Sequence, residues 1–124
     1  MLRRYSSLRQ SRGTSFPAAV VAHIKEHQGD GCIGPEAGMP GECAGPIDTD
    51  HVRASGGISL KSKSIAVNGA RLCRFAHHNL KTREGKTWRP RLLTVIAQRH
   101  GECADCQRES ITEYGVPLGE GVPS

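Results

Sequence analysis

The sequence predicts a single small domain of the α+β class whose apolar core is too small to hold it together alone. Its 124 residues are the length of one domain. The apolar fraction is only 36%, and the 15 Gly and 7 Pro indicate that much of the chain is loop. Two short strand patterns lie between helical patterns, as is typical of this class. A core of this size usually needs a further source of stability.

The five Cys and six His are the candidates for that role. No stretch approaches the ~20 apolar residues of a membrane span, and none resembles a secretory signal, so we expect a cytoplasmic protein. An odd number of Cys interspersed with His then favours metal binding over disulfides. The net charge of +5 and the pI of about 9.2 favour a polyanionic partner such as nucleic acid.

The N-terminal part predicts a basic arm followed by a helix. Residues 1–13 contain four Arg and no acid, which is typical of a disordered tail that could lie along DNA; a transit peptide is the alternative. Residues 18–27 have helical apolar spacing, and Gly29 ends the helix. His23 and His27 are four residues apart on it. Since no acid pairs with them in the pattern, we interpret them as surface or packing residues.

The central part predicts two strands and a helix. Residues 31–46 form a loop that contains Cys32 and Cys43. Residues 47–52 form a short strand, and residues 53–67 a long loop. Asn68-Gly69 is a turn signal, and a returning strand over residues 70–72 leads into a helix that ends near Arg83, before Gly85.

The C-terminal part predicts one further helix over residues 90–100, with Pro90 in its first turn. Cys103 and Cys106 follow as a pair with two residues between them. Residues 107–124 have few apolar anchors and predict a disordered tail. The predicted domain therefore spans residues 14–106.

Three polar residues of the central part suggest hydrolysis at a metal ion. Asp50 on the strand and His78 on the helix could hold one divalent cation. His51 follows Asp50 and so points to the other face of the strand, where its imidazole is free to accept a proton from water.

Around these residues the chain resembles the HNH endonuclease family, over roughly residues 14–92. The matching pieces are Asp50-His51, Gly56-Gly57, Asn68, Leu72-Cys73, His78-Asn79-Leu80-Lys81-Thr82 and the run from Gly85 to Pro90. The last run is similar to small phage-type members. The resemblance implies a ββα-metal core, with His51 as general base, Asp50 and His78 as metal ligands, and Asn68 tying the loop near the base.

The active-site cation implied by the resemblance is Mg²⁺, Mn²⁺, Ni²⁺ or Zn²⁺. Lys81, one turn below His78, and Arg53 are the candidate contacts to DNA phosphate.

The spacing before the catalytic helix departs from the common family pattern, which places two residues between Cys and the next Cys or His. Here three residues separate Cys73 from His77. Counting from Asn68 favours His77 as the catalytic ligand, whereas counting back from Lys81 favours His78. We choose His78, because helix geometry fixes its short spacing to Lys81.

His77 then becomes a candidate structural zinc ligand in a Cys₃His set. The set is Cys32, Cys43, Cys73 and His77. Cys103 and Cys106 compete, since they could replace Cys32 and Cys43 or complete the site with Cys73.

The sequence thus predicts a metal-dependent DNA endonuclease. The resemblance implies a role in phage DNA processing or packaging, with terminase or other packaging proteins as partners and the host cytoplasm as location. The main alternative is a zinc-stabilised DNA-binding module without catalysis; a nuclease for RNA is another.

Overall fold

The computed structural model describes residues 15–53 and 63–119 and has a mixed α+β architecture. Within these residues it contains a small antiparallel sheet of two strands and four α-helices. The elements are β1 (Ile47–His51), β2 (Gly69–Cys73), α1 (Ala18–Gln28), α2 (Asn79–Arg83), α3 (Gly85–His100) and α4 (Ala104–Tyr114). None of these helices is long and apolar enough to cross a bilayer. The predicted basic arm, Gly56-Gly57 and residues 120–124 lie outside the described residues.

The two strands are paired from end to end. Ile47 is opposite Cys73 and His51 is opposite Gly69 in the antiparallel register. Side chains alternate between the two faces of a strand, so Asp48 and Asp50 of β1 point to the same side. β2 is buried along its whole length, whereas β1 is only half-buried. One face of β1 is therefore available to present polar side chains.

Helix α1 covers β2 and is fixed to it by a buried side chain. Gln28 donates to the Gly69 carbonyl (2.8 Å) and accepts from the Arg71 N–H (3.0 Å). Gly69 allows the two elements to approach closely, because a Cβ there would lie 2.5 Å from Ile24 Cδ1 and displace that side chain. Gly29 ends α1 with a φ of 84°, as the sequence predicts.

A π-helical turn connects β2 to α2. It spans Arg74–His78, and Cys73 caps it by accepting the His77 N–H through its sulfur (3.3 Å). A π-turn holds one more residue than an α-turn of the same extent. The turn therefore accommodates the third residue between Cys73 and His77.

Helix α3 begins at Gly85 and not, as the sequence suggested, at Pro90. Glu84 fixes the earlier start: its carbonyl accepts the N–H groups of Thr87 and Trp88 (3.1 and 3.2 Å), and its carboxylate accepts the Trp88 indole N–H (3.1 Å). The apolar side of α3 forms the main core with residues from β2, from the loop before β1 and from the position just after β1. Its largest members are Ile33, Met39, Val52, Leu72, Trp88, Leu92, Leu93, Val95 and Ile96.

The expectation of a disordered tail from residue 107 onward was wrong for most of that segment. Residues 104–114 form α4, which Gly115 ends with a φ of 83°. Glu109 holds the helix to the segment before β2 by accepting the Val67 N–H (3.1 Å), and Ser110 fixes the turn after the helix by donating to the Val116 carbonyl (2.7 Å). Polar anchors of this kind leave little apolar signal in the sequence.

Candidate active site and metal centres

His78 lies between two carboxylates of β1. Its Nδ1 is 2.8 Å from Asp48 Oδ2, and its Nε2 is 3.2 Å from Asp50 Oδ1. A carboxylate only accepts, so either ring nitrogen can donate to the carboxylate beside it; with a cation bound at Nε2, Nδ1–H would be the donor to Asp48. Hydrogen bonds from Arg74, and secondarily from His78, lower the pKa of Asp48, which therefore stays ionised. This carboxylate–histidine pair orients Nε2 as a metal ligand is oriented in many proteins.

Asp50 and His78 fit a divalent cation. Oδ2 of Asp50 is buried and has no hydrogen bond of regular geometry among the described residues, although Lys81 Nζ lies 2.9 Å away. Two ligand atoms bound to one cation at about 2.1 Å are about 3 Å apart at right angles. The separation of 3.2 Å between His78 Nε2 and Asp50 Oδ1 is close to this value. The predicted pair is therefore brought together with a spacing that suits a shared cation.

Lys81 lies inside this site rather than on its outer surface. Its side chain is only 11% exposed, and its ammonium group donates to the His51 carbonyl (2.6 Å) as well as lying against Asp50. The lysine thus balances the charge of the carboxylates and fixes α2 to the end of β1. Its predicted contact with a DNA phosphate has no support in this placement.

His51 lies on the opposite face of β1 from Asp50, in a partly apolar setting. Its ring stacks on Phe16, with centroids 4.3 Å apart, and its Nε2 is 2.8 Å from Ser64 Oγ. Burial lowers the pKa of His51, so its imidazole is neutral near pH 7. A neutral, fixed imidazole can accept a proton.

Asn68 joins the two ends of the loop that follows β1. Its side chain accepts the Arg53 N–H (2.7 Å) and donates to the Lys63 carbonyl (2.9 Å), and it is fully buried. The Asn68 carbonyl also accepts the Val52 N–H (3.0 Å). Asn68 therefore fixes the backbone on both sides of this loop, close in sequence to His51.

A second group of side chains lies on the other side of the π-turn. It consists of Cys32, Cys43, Cys73 and His77, whose ligand atoms all lie within 4.8 Å of one another. His77 Nδ1 is 3.3, 3.6 and 3.2 Å from the three sulfurs in that order. Tetrahedral zinc with bonds of about 2.3 Å to sulfur and about 2.0 Å to nitrogen gives N···S separations of about 3.5 Å. We call this group the Cys₃His cluster; it could bind a metal such as zinc.

Hydrogen bonds fix the imidazole of the Cys₃His cluster in the form that binds metal. His77 Nε2 lies 3.1 Å from the Pro40 carbonyl and 3.0 Å from the Gly41 carbonyl. Carbonyls only accept, so Nε2 carries the proton and Nδ1 presents its lone pair to the sulfurs.

The three thiols of the Cys₃His cluster differ in acidity, since burial raises the pKa of Cys32 to about 12 and also raises the pKa of Cys43. Cys32 accepts the Gly34 N–H (3.3 Å) and Cys73 accepts the His77 N–H (3.3 Å). Burial raises the pKa of the Cys73 thiol, but the N–H groups of His77 and Ala44 and the neighbouring thiols outweigh it and lower the pKa to about 6. Cys73 is therefore a thiolate at neutral pH, the form in which sulfur binds zinc.

Cys103 and Cys106 do not join the Cys₃His cluster. They lie instead with His23 and His27, and the four ligand atoms are within 4.8 Å of one another. The two histidines, interpreted from the sequence as surface or packing residues, thus have two sulfur neighbours with which they could hold a metal. We call this group the Cys₂His₂ cluster.

Arg53, the other candidate for a phosphate contact, packs on a side chain of α4. Its guanidinium lies 4.1 Å from the centre of the Tyr114 ring. This stacking directs the group toward α4 rather than toward Asp50 and His78.

Sequence reasoning missed Asp48 and Phe16. Asp48 could have been found, because a residue two positions before Asp50 on a strand shares its face. Phe16 lies outside the predicted helix, and no local pattern connects it to His51.

No protein-family model, curated protein or solved structure that was compared with this chain matches it.

Proposed function

We propose that this protein is a metal-dependent endonuclease that hydrolyses phosphodiester bonds of DNA. The observation that carries the proposal is the arrangement around β1: Asp50 and His78 approach each other on one side, and His51 is presented on the other. These residues come from a strand and a helix nearly thirty positions apart, and their types suit cation binding and proton transfer.

Each residue has a defined part in the proposed reaction. His51 accepts the proton of the attacking water, and Phe16 and Ser64 hold its ring in place. Asp50 and His78 hold the divalent cation, which when bound stabilises negative charge on the phosphate and the leaving oxygen. Asp48 fixes the ring of His78.

The Cys₃His cluster supports this site in the proposal. Its ligand His77 is adjacent to His78, so a metal bound there would fix the start of the helix that presents the catalytic imidazole. The net charge of +5 favours the approach of a polyanion.

A nicking assay on supercoiled plasmid tests the proposal. Wild-type protein and His51→Ala are compared with Mg²⁺, Mn²⁺ or Ni²⁺, and exposed Gln98→Ala on α3 is the control. We expect His51→Ala to lose activity by about 10²-fold or more, since a general base contributes about that much. Its circular dichroism and DNA binding should match those of the wild type.

Two results would contradict the proposal. Undiminished cleavage by His51→Ala would refute the assigned base. DNA binding by wild-type protein without cleavage in any of the three cations would favour the non-catalytic DNA-binding module.

A further inference from the structure

We propose that the Cys₂His₂ cluster binds a second zinc ion, which fastens α1 to the start of α4. Its members are His23, His27, Cys103 and Cys106. The histidines are four apart on α1, so both rings project from one face of the helix. The cysteines have the two-residue spacing common in zinc sites, and two sulfurs with two nitrogens form a tetrahedral set typical of zinc.

The two cysteines have the local geometry of a metal-binding turn. Cys103 immediately precedes α4, and its sulfur accepts the Cys106 N–H at 3.3 Å. This hydrogen bond turns both sulfurs to the same side of the helix start. Cys106 is buried and Cys103 is half-buried, so the sulfurs lie at the inner side of α4.

The imidazole of His23 completes this arrangement from α1. Its Nε2 lies 3.2 Å from Cys106 Sγ and 3.6 Å from Cys103 Sγ. Its other nitrogen, Nδ1, lies 3.4 Å from a Glu26 carboxylate oxygen. A carboxylate at the far nitrogen is the usual second partner of a metal-bound imidazole, and it leaves Nε2 free for the metal.

A buried hydrogen-bond network presents a donor to the sulfur of Cys106. Gln28 accepts the Arg71 N–H through its oxygen, so its nitrogen is the donor toward His100 Nε2 at 3.0 Å. His100 is fully buried and must then carry its proton on Nδ1, which lies 3.3 Å from Cys106 Sγ. The N–H of a neutral imidazole thus points at the sulfur, as it would at a metal-bound thiolate.

The chemistry of the set selects the kind of metal. Magnesium and calcium prefer oxygen ligands, whereas sulfur and imidazole together favour zinc. Two thiolates balance the two positive charges of the ion, so the occupied cluster is neutral and suits a partly buried place. Binding to the protonated thiols releases their two protons to solvent.

The proposed zinc connects segments that are distant in sequence. His23 and Cys106 are separated by 83 positions. Gln28 of α1 also donates a hydrogen bond to β2, and Phe16, just before α1, stacks on the ring of His51. A metal between α1 and α4 would therefore also stabilise the packing of α1 and Phe16 on the β1–β2 sheet.

Counting metal on intact wild-type protein tests the inference. Native mass spectrometry of protein saturated with zinc in excess Mg²⁺, which can occupy the proposed active site but competes poorly for sulfur ligands, should show two zinc ions per chain. Cobalt titration of the metal-free chain, followed by the charge-transfer absorption of cobalt bound to thiolate so that only sulfur-bound metal is counted, should likewise reach saturation at two equivalents. Saturation at one equivalent in both measurements would overturn the inference, and neither measurement depends on the folding of a variant.

Variants then assign the ions to the two clusters. Cys103→Ser and His27→Ala should each keep the zinc of the Cys₃His cluster and lose the zinc of the Cys₂His₂ cluster. Cys32→Ser should lose the zinc of the Cys₃His cluster and keep the other ion. Exposed Lys25→Ala on α1 is the matched control and should keep both zinc ions. Two ions retained in both Cys103→Ser and His27→Ala would refute the assignment. Metal content is independent of nuclease activity, so this result stands apart from the proposed function.

Discussion

The candidate active site depends on how single side chains are held. His78 is fixed at both ring nitrogens, by Asp48 on one side and by Asp50 on the other. The two contacts would differ in kind in the proposed site: with a cation bound, the first would be a hydrogen bond that sets the tautomer, and the second would mark the position of the cation. Asp48, which in the proposal touches neither cation nor substrate, would then control the orientation of a ligand.

Asp48→Ala should weaken cation binding. Without the carboxylate, His78 loses its fixed tautomer and ring orientation, and removal of such partners typically costs about 10- to 100-fold in metal affinity or activity. We expect the cleavage rate to fall at low cation concentration and to recover partly when the cation is raised. Arg74→Gln is the matched control, because it removes the exposed ion pair with Asp48 and leaves the bond to His78. If both variants lost the same amount of activity, the loss would come from the ion pair between Arg74 and Asp48 and not from the contact between Asp48 and His78.

The Cys₃His set was predictable from sequence because its members have distinctive chemistry. Cys73 and His77 are local to one turn, and Cys32 and Cys43 were the nearest thiols on the N-terminal side. The role of Lys81 was less predictable. The sequence placed Lys81 correctly one turn from His78. The direction of its long side chain, however, is set by the ion pair with Asp50, which is distant in sequence.

At the scale of elements, the π-turn allows two neighbouring histidines to contact different parts of the molecule. His77 must reach the Cys₃His cluster while His78 must reach β1, although successive residues of a helix point about 100° apart. The turn at Arg74–His78 holds the additional residue and lets both rings reach their partners. The sequence showed the extra residue but not how the backbone would accommodate it.

Deletion of Ala76 should be tolerated. The deletion gives the two-residue spacing of the resembled family, and a π-turn that loses one residue can close as an α-turn. We expect the zinc of the Cys₃His cluster to remain and cleavage to stay within about tenfold of wild type, a barrier change of about 1.4 kcal/mol. Insertion of one further Ala after Ala76 is the control and should abolish both. Loss of zinc from the deletion variant would show that the longer turn is itself required.

The contact between the loop of residues 31–46 and the π-turn can be tested at one glycine. A Cβ at Gly34 would lie 2.7 Å from His77 Cγ and 2.9 Å from its Nδ1. Gly34→Ala should therefore displace the imidazole, destabilise the fold by about 1–3 kcal/mol and lower zinc affinity. Urea unfolding and competition with a zinc chelator measure these effects. Gly31→Ala is the matched control, since a Cβ there meets nothing within 4 Å. Equal zinc affinity in the two variants would contradict the argument.

The elements that sequence reasoning missed are those fixed by distant contacts. Helix α4 carries few buried apolar side chains, and its buried members Cys106 and Ser110 do not form an apolar pattern. His23 and His27 were judged without their partners, because Cys103 is 80 positions from His23 and no local spacing joins the pairs. By contrast, the strands and helices α1 and α2 have local signals in Gly29, Asn68-Gly69 and the spacing of the apolar residues.

On the scale of the whole molecule, the Cys₃His and Cys₂His₂ clusters lie where the apolar core is weakest. The loop of residues 31–46 is largely exposed from residue 40 onward, and the Cys₃His cluster ties Cys43 of that segment to the π-turn. The Cys₂His₂ cluster joins α1 to α4, whose apolar contributions are small. Metal bound at both clusters would give a chain with 4% aromatic residues long-range connections that packing alone does not supply.

Removal of zinc should therefore unfold most of the chain. If both clusters bind zinc in the folded state only, free zinc at about 100 times its dissociation constant adds about 2.7 kcal/mol per site to the free energy of unfolding. The thermal midpoint followed by circular dichroism should rise with free zinc and fall sharply when a tight zinc chelator is added. Re-addition of zinc should restore the midpoint, whereas the same concentration of Mg²⁺ should not, because thiolate sites bind it poorly. An unchanged melting curve in protein shown to be metal-free would mean that the core and the hydrogen bonds of Gln28, Asn68 and Glu109 suffice without metal.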